Sequence, residues 1–326
     1  MEMEARLGEG YRAAREGAAF RPLPDAGYVR VGGEDRTDFM QRQTTNDVRL
    51  LGSGKALVNV LASPTARILH AFTMLQELEH LALVTVAGGE ALAAYLRGKI
   101  FFMDKVTVED ASAEFSQFDL DGPQAGDLLT QIGLERAPGE GERVDTRVGG
   151  APLTVFGRKG LAGVGYWLLA PTGHGADVER ALLDAGAVLL GEEAYDVLRV
   201  EAGLPAPGAE LTEDFTPLET GLAYTVSTSK GCYTGQEVLA RQINYDKVSR
   251  QLVGLRLKEP APAGSAVRAE GRPAGTVTSV VLSPEHGWIA LAVVRRPHHE
   301  PGSEVAVQTA SGEVGATVSA LPFSTA

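Results

Sequence analysis

The segment STSKGCYTGQEVLARQ, residues 227–242, contains the only cysteine of the chain, Cys232. A cysteine acts as a nucleophile or metal ligand in its thiolate form, which a nearby cation or a helix N-terminus favours. Lys230 lies two residues before it. Thr234 and Glu237 have the spacing of a capping box, which predicts that Thr234 caps a helix starting just after the cysteine. The pattern therefore favours a thiolate near the positive end of a helix dipole.

The alternative interpretation is that Cys232 is a buried packing residue, as free cysteines often are. Its neighbours are lysine, glycine, tyrosine and threonine, and this local chemistry leaves both interpretations open. No histidine lies close in sequence, so a cysteine hydrolase would need a base from elsewhere in the fold. Glu237 and Arg241 stand four residues apart with the acid first, which favours an ion pair on the predicted helix.

A second candidate lies in LRVEAGLPAPGAEL, residues 198–211, where Glu201 and Arg199 come at a helix end before a Pro/Gly-rich loop. A carboxylate there could accept two parallel hydrogen bonds from an amidine-like edge, such as the N3–H and 2-amino group of a pterin. A surface salt bridge is the alternative, and the residues alone favour it.

Other motif-like segments predict no site. LLGSGKAL, residues 50–57, lacks the first glycine of a phosphate loop, and Ala56 replaces its Ser/Thr. The six histidines have no spacing typical of a metal site, so we expect no bound metal.

Length, net charge and cysteine count limit the number of domains, the classes of ligand and the cellular location that we expect. The 326 residues predict two or three domains. The net charge of −12 argues against direct binding of nucleic acid or of an anionic membrane. A single cysteine fits a reducing, cytoplasmic location. No apolar run approaches the roughly 18 residues of a membrane helix, and the first residues lack a signal-peptide pattern.

The elements that must position these residues mix helices and strands. Helical spacing is found at 34–48, 89–102, 175–191 and 192–203, and strand patterns lie between these segments. After Lys247, short strands alternate with turns, which predicts a separate antiparallel β-barrel or sandwich at 248–326.

Several of these segments resemble one family in the same order. KGCYTGQEVLARQ is similar to the signature of the YgfZ family, folate-binding proteins related to the T-protein (aminomethyltransferase) of the glycine cleavage system. The other matching segments are DFMQRQTTNDVRLL, FDLDGPQAGDLL, LRVEAGLP and TPLETGLAYTVSTSKG. The resemblance covers nearly the whole chain and is weakest in the C-terminal β domain.

The resemblance implies an α+β fold, a three-domain cloverleaf of antiparallel α+β domains plus a C-terminal β-barrel around a central folate channel. Residues 1–247 would then form two interleaved α+β domains. One would comprise 20–114 with 195–247 and the other 115–194, while 248–326 would form the barrel.

The resemblance also implies a function. The cofactor would be tetrahydrofolate or a one-carbon derivative. The protein would help to assemble or repair iron–sulfur clusters, with iron–sulfur enzymes as partners, among them radical enzymes that modify tRNA. The oligomeric state is left open.

Site residues follow from the same resemblance. Cys232 is the expected functional residue at the channel, with Lys230 beside it. Glu201 matches the position where related T-proteins hold the pterin. The remaining expected cofactor-binding residues are Arg199, Tyr233, Gln236, Glu237 and Arg241.

One departure separates the chain from the T-protein branch. An Asp-Asp pair in T-proteins serves aminomethyl transfer, whereas the equivalent stretch here is TARILHAF, with His70-Ala71 at the pair's position. The mechanism thereby loses its acid/base group. We therefore expect no aminomethyltransferase activity. A folate-dependent one-carbon transferase is the alternative, and an interaction protein with a vestigial channel is a third interpretation.

Overall fold

The computed structural model describes residues 2–323. In chain order its helices are α1 (Glu2–Glu16), α2 (Arg36–Gln43), α3 (Gly89–Arg97), α4 (Ala125–Gln131), α5 (Gly175–Asp184), α6 (Glu192–Glu201) and α7 (Gln236–Asn244). Its first eleven strands are β1 (Ala19–Pro22), β2 (Gly27–Gly32), β3 (Ala56–Ala62), β4 (Ile68–Gln76), β5 (His80–Thr85), β6 (Thr107–Asp110), β7 (Phe115–Asp121), β8 (Arg143–Val148), β9 (Ala151–Gly160), β10 (Gly163–Pro171) and β11 (Val188–Leu189). The last six are β12 (Arg250–Leu257), β13 (Ala266–Ala269), β14 (Arg272–Ser283), β15 (Gly287–Arg295), β16 (Glu304–Thr309) and β17 (Gly312–Ser319).

The first eleven strands form two sheets. One is antiparallel with the order β3-β4-β5-β2-β6, and the other has the order β11-β1-β7-β10-β9-β8. The second sheet is antiparallel except where β1 pairs with β11. Tyr28 and Val84 from the first sheet pack with Phe156 and Trp167 from the second in one buried cluster. Because apolar burial stabilises their contact, the two sheets are held together at this cluster.

The last six strands close into a barrel with the order β12-β15-β14-β13-β16-β17. Inward-facing valines and alanines fill it, which matches the alternation of apolar and polar residues in its strands. Ile289 and Leu291 of the barrel pack on Val200 of α6 and on Phe215. The expected α+β fold with a C-terminal barrel is confirmed, and the barrel begins at Arg250.

The predicted division of residues 1–247 stays a prediction, but the sheets show where its boundary needs adjusting. Strand β1 pairs with β7 and β11, so it lies in the same sheet as the strands of 115–194. The boundary predicted at residue 20 therefore falls inside a strand of the other sheet. No helix in residues 2–323 is both long enough and apolar enough to cross a membrane.

Candidate functional site

A cavity of about 620 Å³ lies between the two sheets. Strands β3, β4 and β5 form one wall, and β7, β9 and β10 form the opposite wall. The rest of the lining comes from Tyr195 of α6, the chain after α6, the turn around Tyr224, Asn46, Val86 and residues 140–141. Cavities of this volume with mainly apolar walls are typical of sites for small organic ligands.

Aromatic rings and apolar side chains cover much of the lining. Trp167 stacks on Phe156 with ring centroids 5.9 Å apart, and its indole N–H donates to Gln117 Oε1 at 2.9 Å. The guanidinium of Arg21 lies over the ring of Tyr195, 3.4 Å from the ring centroid. These contacts fix both rings beside the cavity, where they could stack on a flat heteroaromatic ligand.

The charged part of the wall is an ion-pair network. Asp119 Oδ2 accepts from Arg21 Nη2 at 2.9 Å, and Asp119 Oδ1 lies 2.8 Å from Arg158 Nη2. The same Arg158 nitrogen lies 2.7 Å from Asp121 Oδ2. Two guanidiniums thus face two buried carboxylates, and their charges cancel within the network.

The position of the missing acid pair lies at this cavity. Ala71 lines it, whereas His70, the neighbouring residue of β4, does not. The His70 ring lies 5.7 Å from that of Tyr95, and burial lowers the pKa of His70, with Glu213 opposing the shift. Neither residue supplies a carboxylate to the cavity.

Cys232 lies in a different place. It is exposed and lines a separate surface depression of about 320 Å³ together with Asp38, Gln41, Arg42, Arg49 and Gly231. The interpretation as a buried packing residue is therefore wrong. The thiol does not line the central cavity, so the expected placement of Cys232 at that channel needs correction.

The helix after Cys232 begins later than predicted. Its first residue is Gln236 and its N-cap is Gly235, in a left-handed conformation with φ of 84°, so Thr234 is not the cap. A Cβ at Gly235 would lie 2.7 Å from the carbonyl oxygen of Ser63, which explains why glycine is needed there. Because the N-cap is Gly235, three residues after Cys232, the thiol lies one residue further along the chain from the helix start than predicted.

Lys230 points away from solvent. Its Nζ donates to the carbonyl oxygens of Thr44 and Asn46, each at 2.7 Å, and lies 5.0 Å from the ring centroid of Tyr233. Burial lowers the pKa of Lys230 to about 8, with Asp47 opposing the shift. Since its ammonium is held by two carbonyls, Lys230 ties the cysteine loop to the segment after α2. Asn46 of that segment lines the central cavity.

Glu201 is also outside the cavity. Its carboxylate accepts from Tyr11 Oη at 2.9 Å and from Ser283 Oγ at 2.6 Å, and it lies 3.1 Å from Arg15 Nη1. These groups come from α1 and from β14 of the barrel, so Glu201 joins three elements. Pterin binding by Glu201 stays a prediction, and its saturated position favours a structural role.

The other predicted ligand residues are dispersed. Arg199 donates to Ser279 Oγ at 3.0 Å and to Asp196 Oδ1 at 2.9 Å, which ties α6 to the barrel. Glu237 and Arg241 are exposed, and they form no ion pair with each other in the part of the chain described. Tyr233 is buried, and Gln236 Nε2 donates to the carbonyl of Lys230 at 3.4 Å. Of these residues, Tyr233 and Gln236 contact Lys230, and none lines the central cavity.

Sequence reasoning missed most of the cavity lining. Trp167, Tyr195 and Tyr224 lie in three separate segments, and no local motif joins them. Across residues 2–323, no group of three or more His, Cys, Asp or Glu side chains is placed to hold a metal ion.

Residues 1–230 match the GCVT N-terminal domain, and residues 250–324 match the glycine cleavage T-protein C-terminal barrel domain. This chain belongs to the GCVT family. A chloroplastic protein of Arabidopsis thaliana, named as a transferase, is 31% identical over 97% of this chain and 73% of its own length. An aminomethyltransferase of Listeria monocytogenes is 31% identical over 96% of this chain and 88% of its own length.

The crystal structure of glycine cleavage system aminomethyltransferase T from Bartonella henselae has the same fold as this GCVT-family chain. It superposes with a TM-score of 0.82 over 97% of this chain and 89% of that one. The sequences are 24% identical, so this likeness supports the fold.

Proposed function

We propose that this GCVT-family protein binds tetrahydrofolate or a one-carbon derivative in the central cavity and assists iron–sulfur cluster assembly or repair, as a member of the YgfZ branch. The observation that carries the binding proposal is the cavity of about 620 Å³ between the sheets, with Trp167, Tyr195 and Tyr224 in its lining. A flat ring system with an anionic tail suits a cavity that has aromatic walls and a lysine, Lys159, in its lining.

The residues present fit such a ligand. The rings of Trp167 and Tyr195 offer stacking surfaces, and the neutralised Arg158–Asp119 pair adds polarity without net charge. When bound, tetrahydrofolate supplies the capacity to carry a one-carbon unit. The task of the protein side chains is to hold the ring system, orient it and exclude water.

Ala71 argues against aminomethyl transfer. It lines the cavity at the position where the resemblance expects an aspartate pair, and an alanine can neither donate nor accept a proton. The lowered pKa of His70 favours the neutral imidazole at pH 7, and this ring lies outside the lining. The cavity of this chain thus suits ligand binding better than acid/base chemistry at that strand.

Cys232 carries the proposed iron–sulfur role. It is exposed and lies in the segment KGCYTGQEVLARQ that resembles the YgfZ signature. Enzymes that contain iron–sulfur clusters are the proposed partners, and an exposed thiol is accessible to such a protein. We propose a cytoplasmic location, although the name of the Arabidopsis relative places that protein in chloroplasts.

Two measurements test this proposal. Calorimetric titration with tetrahydrofolate and its one-carbon derivatives should give saturable binding at one site. Lack of binding to the folded protein would favour an interaction protein with a vestigial channel. In cells that lack the protein, Cys232→Ser should fail to restore the activity of iron–sulfur enzymes while keeping wild-type folate affinity. Full restoration by the serine variant would overturn the role of the thiol.

A one-carbon transferase is the second candidate, because the Listeria relative is named as an aminomethyltransferase and matches over most of its length. We expect no tetrahydrofolate-dependent release of ammonia when the other components of glycine cleavage are supplied. Turnover at roughly 1 s⁻¹ or faster, a rate typical of enzymes, would favour this candidate over the accessory role.

A further inference from the structure

Three consecutive large apolar side chains are exposed on the loop between α3 and β6: Phe101, Phe102 and Met103. Phe102 is 97% exposed. Both ends of the loop are anchored, because Ile100 and Val106 pack against the core cluster of the first sheet. Loop tips usually carry glycine, proline or short polar residues. Contiguous exposed apolar side chains, unlike single ones, are typical of an interaction surface.

The tip of this loop is a tight turn that Asp104 closes. The backbone N–H of Asp104 donates to the carbonyl of Phe101 at 2.9 Å, and Asp104 Oδ2 accepts from the N–H of Phe101 at 3.1 Å. Phe102 and Met103 are therefore the two central residues of the turn. Because the backbone of the turn is already ordered, a partner that binds these side chains loses little free energy to ordering it.

Asp104 also joins the turn to the depression around Cys232. Its Oδ1 accepts from Arg42 Nη2 at 2.7 Å, and Arg42 lines the depression together with Cys232. Arg49 lines the depression as well, and the next residue, Leu50, is exposed. Exposed apolar side chains therefore adjoin the depression that contains the thiol.

The charges around the turn disfavour a lipid surface as its partner. Three cations each lie within 3.6 Å of a carboxylate: Lys105 of Glu34, Arg42 of Asp104 and Arg49 of Asp38. Attraction to anionic lipid depends on an excess of lysine or arginine near the membrane, at about 1 kcal/mol for each. Paired charges around an apolar centre instead match the anatomy of a protein interface, in which a polar rim surrounds an apolar core.

A second copy of this chain is also a poor partner for the turn. Symmetric dimers place the same patch of both subunits in contact. A dimer through the turn would bring the adjoining depressions to the interface and shield Cys232, which is exposed in the single chain. The proposed function needs this thiol to be accessible to another protein. The turn therefore suits a different protein, the one that Cys232 meets.

We propose that the turn at 101–104 docks the iron–sulfur enzyme that the protein serves, with Phe102 and Met103 entering an apolar recess of that enzyme. This inference adds a docking surface to the proposed function and rests on that function. Protruding apolar side chains suit a recess, because the residues that dominate interface energies fill well-packed pockets. The ion pairs around the turn form the polar rim, and Cys232 faces the same partner.

The test is a double variant, Phe102→Ser with Met103→Ser, expressed in cells that lack the protein. We expect it to restore roughly fivefold less iron–sulfur enzyme activity than the wild type, or lower still, because the apolar contact is lost. The purified variant should keep the wild-type unfolding temperature, tetrahydrofolate affinity and alkylation rate of Cys232. Both side chains are exposed, and they line neither the central cavity nor the depression.

Two further variants serve as controls. Leu78→Ser changes an apolar residue that is also 97% exposed but lies in the turn between β4 and β5, outside both the cavity and the depression. It should restore wild-type activity. Phe102→Leu with Met103→Leu keeps the apolar character and should also restore it. A loss as large as that of the serine variant in either control would overturn the inference.

The outcomes separate this inference from the proposed function. If the double serine variant restores wild-type activity, the docking surface is overturned while the proposed function stands. If the wild type itself restores no iron–sulfur enzyme activity, the proposed function is overturned, and the docking surface with it.

Two measurements on the wild type and the double serine variant identify the other possible partners. Sedimentation velocity should give the same mass for both proteins. A dimer of the wild type that the variant lacks would assign the turn to a second copy and overturn the inference. Flotation with vesicles of phosphatidylglycerol and phosphatidylethanolamine should leave both proteins unbound. Binding by the wild type alone would assign the turn to a membrane and likewise overturn it.

Discussion

The central cavity and the depression around Cys232 differ in how the chain builds them. The cavity takes its lining from strands of both sheets, from α6 and from five loop segments. The depression is lined by α2, by Arg49 and by two residues of a single motif. Short motifs therefore mark the depression well, whereas a cavity assembled from distant segments leaves almost no local pattern. A clear sequence motif therefore indicates that the residues of a site are close along the chain, and it says nothing about the size of the site.

The two regions meet at one side chain. Lys230, next but one to Cys232, binds the carbonyl of Asn46, and Asn46 lines the cavity. The structure thus offers a physical connection between ligand site and thiol, although their openings are separate. The following predictions test how independent the two regions are.

Filling the cavity should have the largest effect. Ala71→Phe places a ring where a small side chain now lines the space, so we expect tetrahydrofolate affinity to fall roughly 100-fold or more, about 2.8 kcal/mol. Ala71→Ser adds little volume and serves as the control. The alkylation rate of Cys232 should be the same in both variants. A wild-type affinity for folded Ala71→Phe would show that the ligand binds elsewhere.

Removing the Glu201 carboxylate should lower the free energy of unfolding. Glu201→Ala leaves the hydroxyls of Tyr11 and Ser283 without their acceptor and Arg15 without its buried partner. We expect a loss of about 2 kcal/mol in the free energy of unfolding, measured with urea. Glu201→Gln should lose less, because its amide oxygen can still accept. If the folded Ala variant instead binds tetrahydrofolate tenfold more weakly, Glu201 contacts the ligand after all.

The barrel and the helices were predictable because their signals are local. Strands β12 to β17 show the alternation and turn residues of a small antiparallel barrel, and α2 places Phe39 and Met40 in a core cluster as its spacing indicates. Strand β1 was harder, since nothing in four residues tells which of two sheets they join.

The site was predictable only in part. The motif around Cys232 correctly marked an unusual loop, but not that Lys230 would point inward to two carbonyls. Glu201 reads in sequence as an acid beside a glycine-containing loop. Its burial and its hydrogen bonds depend on α1 and the barrel, which lie far away along the chain.

The buried Lys230, which joins the two regions, should make the free energy of unfolding depend on pH. Its folded pKa of about 8 lies below that of an unfolded lysine, near 10.5, so between these values the unfolded state binds more protons. Stability should therefore rise with pH across this window and show the full cost of the buried charge below it. Lys230→Met should lack that rise, a difference from wild type of up to roughly 3 kcal/mol across the window. Parallel pH profiles of unfolding for the two proteins would contradict this.

The smallest effect concerns the thiol itself. Cys232 is exposed and lines the depression, so native protein should react with iodoacetamide without unfolding. Saturating tetrahydrofolate should change the alkylation rate by less than about twofold, because the thiol lies outside the cavity lining. Lys230→Met is the matched variant, since it removes the contact with Asn46 that joins the two regions. Strong protection by folate in the wild type that disappears in Lys230→Met would show that ligand binding reaches the thiol through this side chain. Strong protection in both proteins would mean that the ligand itself extends over Cys232, and the two regions would then be one site.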